Sequence, residues 1–402
     1  MTDLPVVPST RDPRPGLSAV PTAELGGWFV DRNEPPYRSQ QVVDAVWRRF
    51  ARSAAEVRTL PTQIRVALAE SYRVDTIAET ELTVADGGLT EKALHRLSDG
   101  QLIESVLMHY PSTPDRRERH TLCISSQAGC AVGCPFCATG ELGFARDLET
   151  AEILDQVRAA ARRLGGDGKR LTNVVFMGMG EPLLNLDRVL ESVSALTDPA
   201  RFGLGARHIT VSTSGVVPGI RRLTALGPQF TLAVSLHAAR DALRDVLVPL
   251  NRRWPVAEVV AAAHDHARAT GRRVSYEYTM ISGINDTDDD ATALADLLRD
   301  EHAHVNLIPM NPVAHTPWEA SPMDRIEGFA ERVRASGTTV TIRRNRGQEI
   351  GAACGQLAAD RSGEPPVAAV ARRRERIVRE SVVALRGERS NEPAPVGTGS
   401  EA

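Results

Sequence analysis

Between Thr121 and Arg334, six apolar strand-like runs alternate with six amphipathic helical patterns, and this alternation limits the fold more than any other feature of the chain. The runs are Leu122–Ser125, Asn173–Met177, Ile209–Ser212, Leu232–Leu236, Val274–Met280 and Val305–Pro309. The helical patterns are Thr150–Leu164, Leu186–Leu196, Pro218–Leu226, Val256–Ala269, Asp288–Leu298 and Met323–Arg334. A strand followed by a helix and another strand implies parallel pairing through crossovers. Eight such units close a barrel, so six predict an α/β fold with an open, partial (β/α)6 TIM-type barrel. An open doubly wound sheet is the competing arrangement. Thr339–Ile342 offers one further strand.

The flanks divide by composition. Residues 1–21 hold Pro5, Pro8, Pro13, Pro15 and Pro21 and read as a flexible N-terminal arm. Residues 22–80 read as a small helical accessory domain, with Val42, Val43, Val46, Trp47 and Phe50 at helical spacing and Ser39, Ser53 and Thr62 as N-caps. Residues 81–115 form a β-extension, 116–350 the barrel, and 351–390 a segment carrying Cys354 and a basic helix, before a disordered tail at 391–402. A net charge of −3 excludes a uniformly basic surface. Lys92 and Lys169 are the only lysines, so arginine counts alone say little about nucleic acid. No run of about 18 apolar residues is present to span a membrane, and no apolar signal core stands near Met1. A cytoplasmic monomer is expected.

Cys130, Cys134 and Cys137 follow the first strand with the spacing C-x3-C-x2-C, Phe136 stands before the third thiol, and Gly129 and Gly133 keep the loop open. A cubane iron–sulfur cluster held by four cysteines is coordinatively closed. One held by three keeps an iron open to the amino and carboxylate groups of a substrate. The competing reading is a structural zinc site with Cys123 as fourth ligand, although zinc sites usually come as paired knuckles with a loop between.

This loop, at the end of the first strand of a βα array, resembles the radical S-adenosylmethionine (SAM) superfamily. In finer detail the chain resembles the RlmN/Cfr family of RNA adenine methyltransferases. The likeness rests on Cys123-Ile124-Ser125-Ser126-Gln127-Ala128-Gly129-Cys130, Gly178-Met179-Gly180-Glu181-Pro182, Ser212-Thr213-Ser214-Gly215, Ser235-Leu236-His237, Asn311-Pro312 and Ala353-Cys354-Gly355-Gln356-Leu357, and runs from about Pro36 to Asp360.

The resemblance implies a [4Fe-4S] cluster on Cys130, Cys134 and Cys137, and two SAM molecules per turnover. It places cofactor contacts at Gly180, Glu181, Ser212, Ser235, Leu236, His237 and Asn311, where barrel strands end. By the same likeness Cys354 carries the methyl group, Cys123 resolves a protein–RNA adduct by forming a disulfide with Cys354, and Glu104 accepts a proton. The small residues around Cys354 suit a mobile loop. Adenine C2 is electrophilic, so direct methylation is unfavourable and a radical route evades the mismatch. The implied partners are 23S rRNA, tRNA and an electron donor such as flavodoxin or ferredoxin, and the alternative is C8 methylation of the same rRNA adenosine. Two further alternatives stand: a zinc-stabilised RNA-binding protein, and a radical enzyme acting on a protein glycyl site. RNA contacts are expected from Arg116, Arg117 and Arg119, from Arg343, Arg344 and Arg346, and from the Arg372–Arg379 helix, whereas His264 and His266 read as surface residues of a helix.

Overall fold

A computed structural model describes residues 11–299, 301–343, 345–357, 375 and 377. The chain begins with helices α1 (Thr22–Val30), α2 (Arg38–Trp47) and α3 (Thr62–Ser71), followed by β1 (Ile77–Ala85), β2 (Thr90–Leu97), β3 (Leu102–Tyr110) and β4 (Arg119–Cys123) as an antiparallel meander. A hairpin of β5 (Gln127–Gly129) and β6 (Phe144–Asp147) encloses the three-cysteine loop and the short helix α4 (Ala138–Leu142). Strand and helix then alternate. In order come α5 (Thr150–Gly166), β7 (Asn173–Phe176), α6 (Leu186–Thr197), β8 (Ile209–Thr213), α7 (Val217–Leu226), β9 (Thr231–Ser235), α8 (Asp241–Leu247) and α9 (Val256–Thr270). They are followed by β10 (Val274–Met280), α10 (Asp288–Leu297), β11 (Ala303–Pro309), α11 (Met323–Ala335) and β12 (Thr339–Ile342).

Ten strands form one sheet in the order β1-β2-β3-β4-β7-β8-β9-β10-β11-β12, parallel from β4 onward. The expected parallel units are therefore present, and Thr339–Ile342 adds a further parallel strand beside β11. Among the described residues no ladder joins β12 back to β4, so the barrel is partial.

β10 shows how the sequence builds both faces of the wall. Tyr276, Tyr278 and Met280 turn outward, the Tyr278 ring lying 5.3 Å from Phe329 of α11. Glu277 and Thr279 turn into the barrel and line its cavity. The alternation follows the two-residue period of a strand. Burying each large apolar side chain on the outer face contributes about 1.5–3 kcal/mol relative to exposure.

One buried ion pair joins the helical segment to the barrel. Arg158 of α5 donates to the carbonyls of Val46, Ala51 and Val74 and to the Asp155 carboxylate, which also accepts from the Thr76 N–H and hydroxyl.

Several expectations need correction. The flexible arm is contradicted over the part of it that is described: Leu17 and Val20 are buried, and the Leu17 N–H donates to the Arg73 carbonyl at 2.8 Å. Ser39 lies inside α2, its hydroxyl donating back to the Pro36 carbonyl, and Pro61 rather than Thr62 precedes α3. Ser53 precedes only a single 3-10 turn and makes no capping bond. His266 is buried rather than on the surface, because α9 turns it toward Thr224 of α7. Residues 1–10, Arg344, Arg372, Arg373, Arg374, Arg376, Arg379 and the tail from Asn391 lie outside the described residues.

His95 of β2 is fully buried, with Nε2 2.8 Å from the Ser105 hydroxyl. Burial, with Arg163 adding to it, pushes its pKa down to about 3 from 6.5. The unfolded chain binds this proton below pH 6.5 and the folded protein resists it, so stability present above that pH is lost as pH falls toward 3. The expected loss from this residue is about 2 kcal/mol at pH 5. Denaturant titrations should show a shallower acid slope for His95→Gln than for the wild type; equal slopes would refute the assignment.

Candidate active site

The three-cysteine loop owes its shape to backbone pairing at its base. The Cys130 N–H donates to the Gly143 carbonyl at 2.8 Å, the Cys137 N–H to the Cys134 carbonyl at 3.1 Å, and His315 Nε2 meets the Pro135 carbonyl at 2.8 Å. Gly129 has φ +82°, and a Cβ there would lie 1.9 Å from the Gly143 carbonyl oxygen, so only glycine fits. Cys130, Cys134 and Cys137 all face one open cavity of about 1020 Å³ inside the barrel mouth, ample room for a cofactor.

Burial raises all three thiols, Cys130 to about 12 and Cys134 well above its ordinary value, with the neighbouring cysteines adding to the rise at both. Three buried thiolates side by side require a cationic partner. Among the described residues no three His, Cys, Asp or Glu converge on a single metal ion. Separate sulfurs around one cavity suit a multinuclear cluster that takes one thiolate per iron. Cys123, the fourth ligand of the zinc reading, faces a different cavity. The donor set therefore fits an iron–sulfur cluster better than zinc.

The rest of the rim comes from strand ends. Gly180 follows β7 at φ +105°, where a Cβ would sit 2.6 Å from the side chain of Gln127, and this close approach lets Gln127 Oε1 accept the Glu181 N–H at 2.8 Å. The Glu181 carboxylate is buried, which raises its pKa, and accepts from the Ser214 N–H and hydroxyl at 2.7 Å and the Leu183 N–H at 3.0 Å. Ser212, Ser235, His237 and Asn311 line the same cavity. The Ser212 hydroxyl donates to the Phe176 carbonyl, and Asn311 Nδ2 to the Cys354 carbonyl at 2.9 Å. Leu236 stands apart: it is fully buried and does not line the cavity that its neighbours Ser235 and His237 face.

His237 adopts φ +61°, an uncommon conformation for this residue type. Asn285 Nδ2 donates to its carbonyl at 2.8 Å, and the Thr279 N–H donates to Nδ1 at 3.1 Å. The ring is therefore the Nε2–H tautomer, and burial pushes its pKa down to about 3. It offers the cavity a neutral donor, its edge 4.7 Å from the Phe136 ring centroid to centroid.

Cys354 retains accessible surface, but within the interior. It borders the cofactor-sized cavity and also a second one, of about 630 Å³, shared with Cys123, Val106 and Met108. Its loop is held rather than loose: the Gly355 carbonyl accepts the Ala138 N–H at 2.7 Å, and Thr139 donates to the Leu357 carbonyl at 2.6 Å. Burial raises the Cys123 thiol to about 12, with Cys354 adding to the rise. Glu104 is not an exposed residue of an alternating strand. It is buried on β3, on the strand face of Val106 and Met108, with its carboxylate 3.2 Å from Lys92 Nζ, and it lines neither cavity.

Several residues escaped sequence reasoning. Arg244 is fully buried beneath the rim and donates to the carbonyls of Ser214, Ser235 and Leu236 and to Asn251 Oδ1. Glu277, likewise unmarked, faces the cofactor-sized cavity 3.9 Å from Arg343, a residue the sequence offered for RNA contact and the structure places inside the barrel mouth. Burial raises the Cys354 thiol and the Arg343 guanidinium works against that rise. No local pattern marks such residues, because their partners are distant in sequence.

Two outcomes follow. Arg244→Lys keeps the charge but loses the fork, and should lower unfolding stability by about 3 kcal/mol in denaturant titration. Anaerobically purified protein should be brown with about four irons per chain, and Cys134→Ala should be colourless; a colourless wild-type protein containing zinc would refute the cluster assignment.

A family model described as the Radical SAM superfamily matches residues 124–298. A protein of Parafrankia sp. (strain EAN1pec) named probable dual-specificity RNA methyltransferase RlmN is 49% identical over 379 residues, covering 90% of this chain and 96% of that one. A namesake from Thermobifida fusca is 48% identical over 362 residues, 88% of this chain and 97% of its own. The crystal structure of a radical SAM methyltransferase from Sphaerobacter thermophilus superposes with a TM-score of 0.82 at 45% identity, covering 86% of this chain and all of that one. At 45–49% identity over most of its length, the chain is a radical SAM methyltransferase of the RlmN family.

Proposed function

We propose that the protein methylates C2 of one adenosine in 23S rRNA and of the adenosine beside the anticodon in tRNAs, with Cys354 as carrier of the one-carbon unit. The observation that carries the reading is the position of Cys354 on the border of two cavities. One holds the three cysteines of the cluster loop, and the other holds Cys123 with room for a purine base. Cys130, Cys134 and Cys137 would hold the cluster. Glu181, Ser212, Ser235, His237 and Asn311 would orient SAM, together with the Gly180 backbone. When bound, these groups supply a methyl cation equivalent and a carbon radical able to remove a hydrogen atom from a methyl group.

The protein's own residues do the rest. The Cys354 thiol gives up its proton beside Arg343 as its sulfur takes the methyl group. Once a hydrogen atom has left the S-methyl group, its carbon bonds to C2 of a base turned out of its stack into the second cavity, and the adduct gives one electron to an acceptor, a role the cluster held by Cys130, Cys134 and Cys137 would supply. Glu104, which lies behind the second cavity on the β3 face of Val106 and Met108, takes the C2 proton through a bridging water. The Cys123 thiolate attacks the Cys354 sulfur and breaks its bond to carbon; the electron pair stays on carbon, which is protonated to a methyl group. The two cysteines end as a disulfide, and a thiol reductant supplies two electrons to reset it. An electron donor such as flavodoxin or ferredoxin serves the cluster, and residues 22–80 engage RNA as an accessory domain.

Cys354→Ala should abolish RNA methylation. Cys123→Ala should accumulate an RNA–protein adduct that survives denaturing electrophoresis, and the double variant should show none. Mass spectrometry of nuclease digests should find 2-methyladenosine; 8-methyladenosine would overturn the choice of carbon.

A further inference from the structure

Antiparallel pairing of β3 with β4 sets Tyr110 opposite Arg119, and the Arg119 guanidinium packs on the Tyr110 ring 4.1 Å from its centroid. A second guanidinium, that of Arg346, packs on the same ring at 4.4 Å. Arg346 is fixed in place by donating to the His109 carbonyl at 2.7 Å, and the next residue by Gly347 N–H to Asp86 Oδ2 at 2.9 Å. Tyr110 and Arg346 line the cavity shared by Cys123 and Cys354, while Arg119 is exposed beside it.

Among the described residues neither guanidinium pairs with a carboxylate, and Asp86, the acid beside the Arg346 segment, is engaged with Thr90 and Gly347. A cation on an aromatic ring gains about 0.5–1 kcal/mol at an exposed site, which holds it in place without neutralising it. Two unneutralised guanidiniums on one ring, one lining the second cavity and the other exposed beside it, have the charge and fork shape that bind phosphodiester oxygens. Base extrusion requires the strand to be gripped beside the target nucleotide, and backbone contacts provide that registration.

We propose that Arg119 and Arg346, spaced by Tyr110, form a clamp for the RNA phosphodiester next to the target adenosine, so that the base drops between Cys123 and Cys354. This rests on the RNA reading above and adds to it a specific positioning site.

The test is RNA affinity against salt concentration, using an anticodon stem-loop RNA with an unmodified adenosine beside the anticodon. Arg119→Ala and Arg346→Ala should each weaken binding about tenfold and reduce the salt slope by about 0.7. Tyr110→Leu should weaken binding while leaving the slope unchanged, because it removes the spacer and no charge. Arg119→Lys and Arg346→Lys should restore the slope. That rescue separates a phosphate clamp from mere packing, and it serves if an alanine variant folds poorly. Slopes equal to wild type in both alanine variants, or no rescue by lysine, would overturn the clamp. Peptide mass analysis of wild-type Cys354 tests the underlying reading independently: an S-methyl group there with unchanged slopes sinks only the clamp, and its absence sinks the carrier role whatever the slopes show.

Discussion

The site depends on a guanidinium buried beneath its rim. Arg244 sits under the rim and holds the carbonyls after β8 and β9 with a single planar fork. Those carbonyls belong to Ser214, Ser235 and Leu236. Ser214 in turn presents its N–H and hydroxyl to Glu181, and Ser235 and Leu236 lead into the left-handed His237. Arg244 keeps its charge in the interior because each of its three nitrogens donates to an oxygen. Strain at His237, of order 1–3 kcal/mol for such backbone, is sustained by Asn285 and the Thr279 N–H. A small set of buried amide and guanidinium groups thus carries a row of polar side chains that would otherwise point elsewhere.

The second support is the stitching of the Cys354 loop to the cysteine loop. Ala138, Thr139 and Asn311 all bond to backbone carbonyls between Cys354 and Leu357. Asn311 also accepts from Gln348 Nε2 at 2.7 Å, so one side chain at the end of β11 joins the cofactor rim to the segment bearing the distant cysteine. The loop's small residues serve close approach: a Cβ on Gly355 would press on the Phe136 carbonyl at 3.3 Å.

Much of this was legible in the residues. β10 and β12 occupy the spans their apolar patterns marked, and most helices begin or end within a residue or two of the periodic runs. Such elements are written locally, in period and length. The cysteine spacing and the strand-end glycines and serines were legible for the same reason. Misreadings arose where distant contacts decide. Prolines around Leu17 looked like a loose arm, but Arg73 and the barrel helices give that segment a surface to pack against. His266 looked exposed because helical phase cannot be fixed from one residue. Arg244, Asn285 and Glu277 carry no local signature, since each is defined by partners brought together only by the fold. Glu104 shows the reverse: a charged residue in a strand is buried by the hairpin of β2 and β3, beside Lys92.

The Cys354 sulfur stands in a wall shared by two chambers, together with Met177, Ile308, Arg343 and Leu357. A side chain in a partition of this kind can be reached from either side while its loop stays bonded in place. A relay through it needs no swinging arm, only access to one atom from each room.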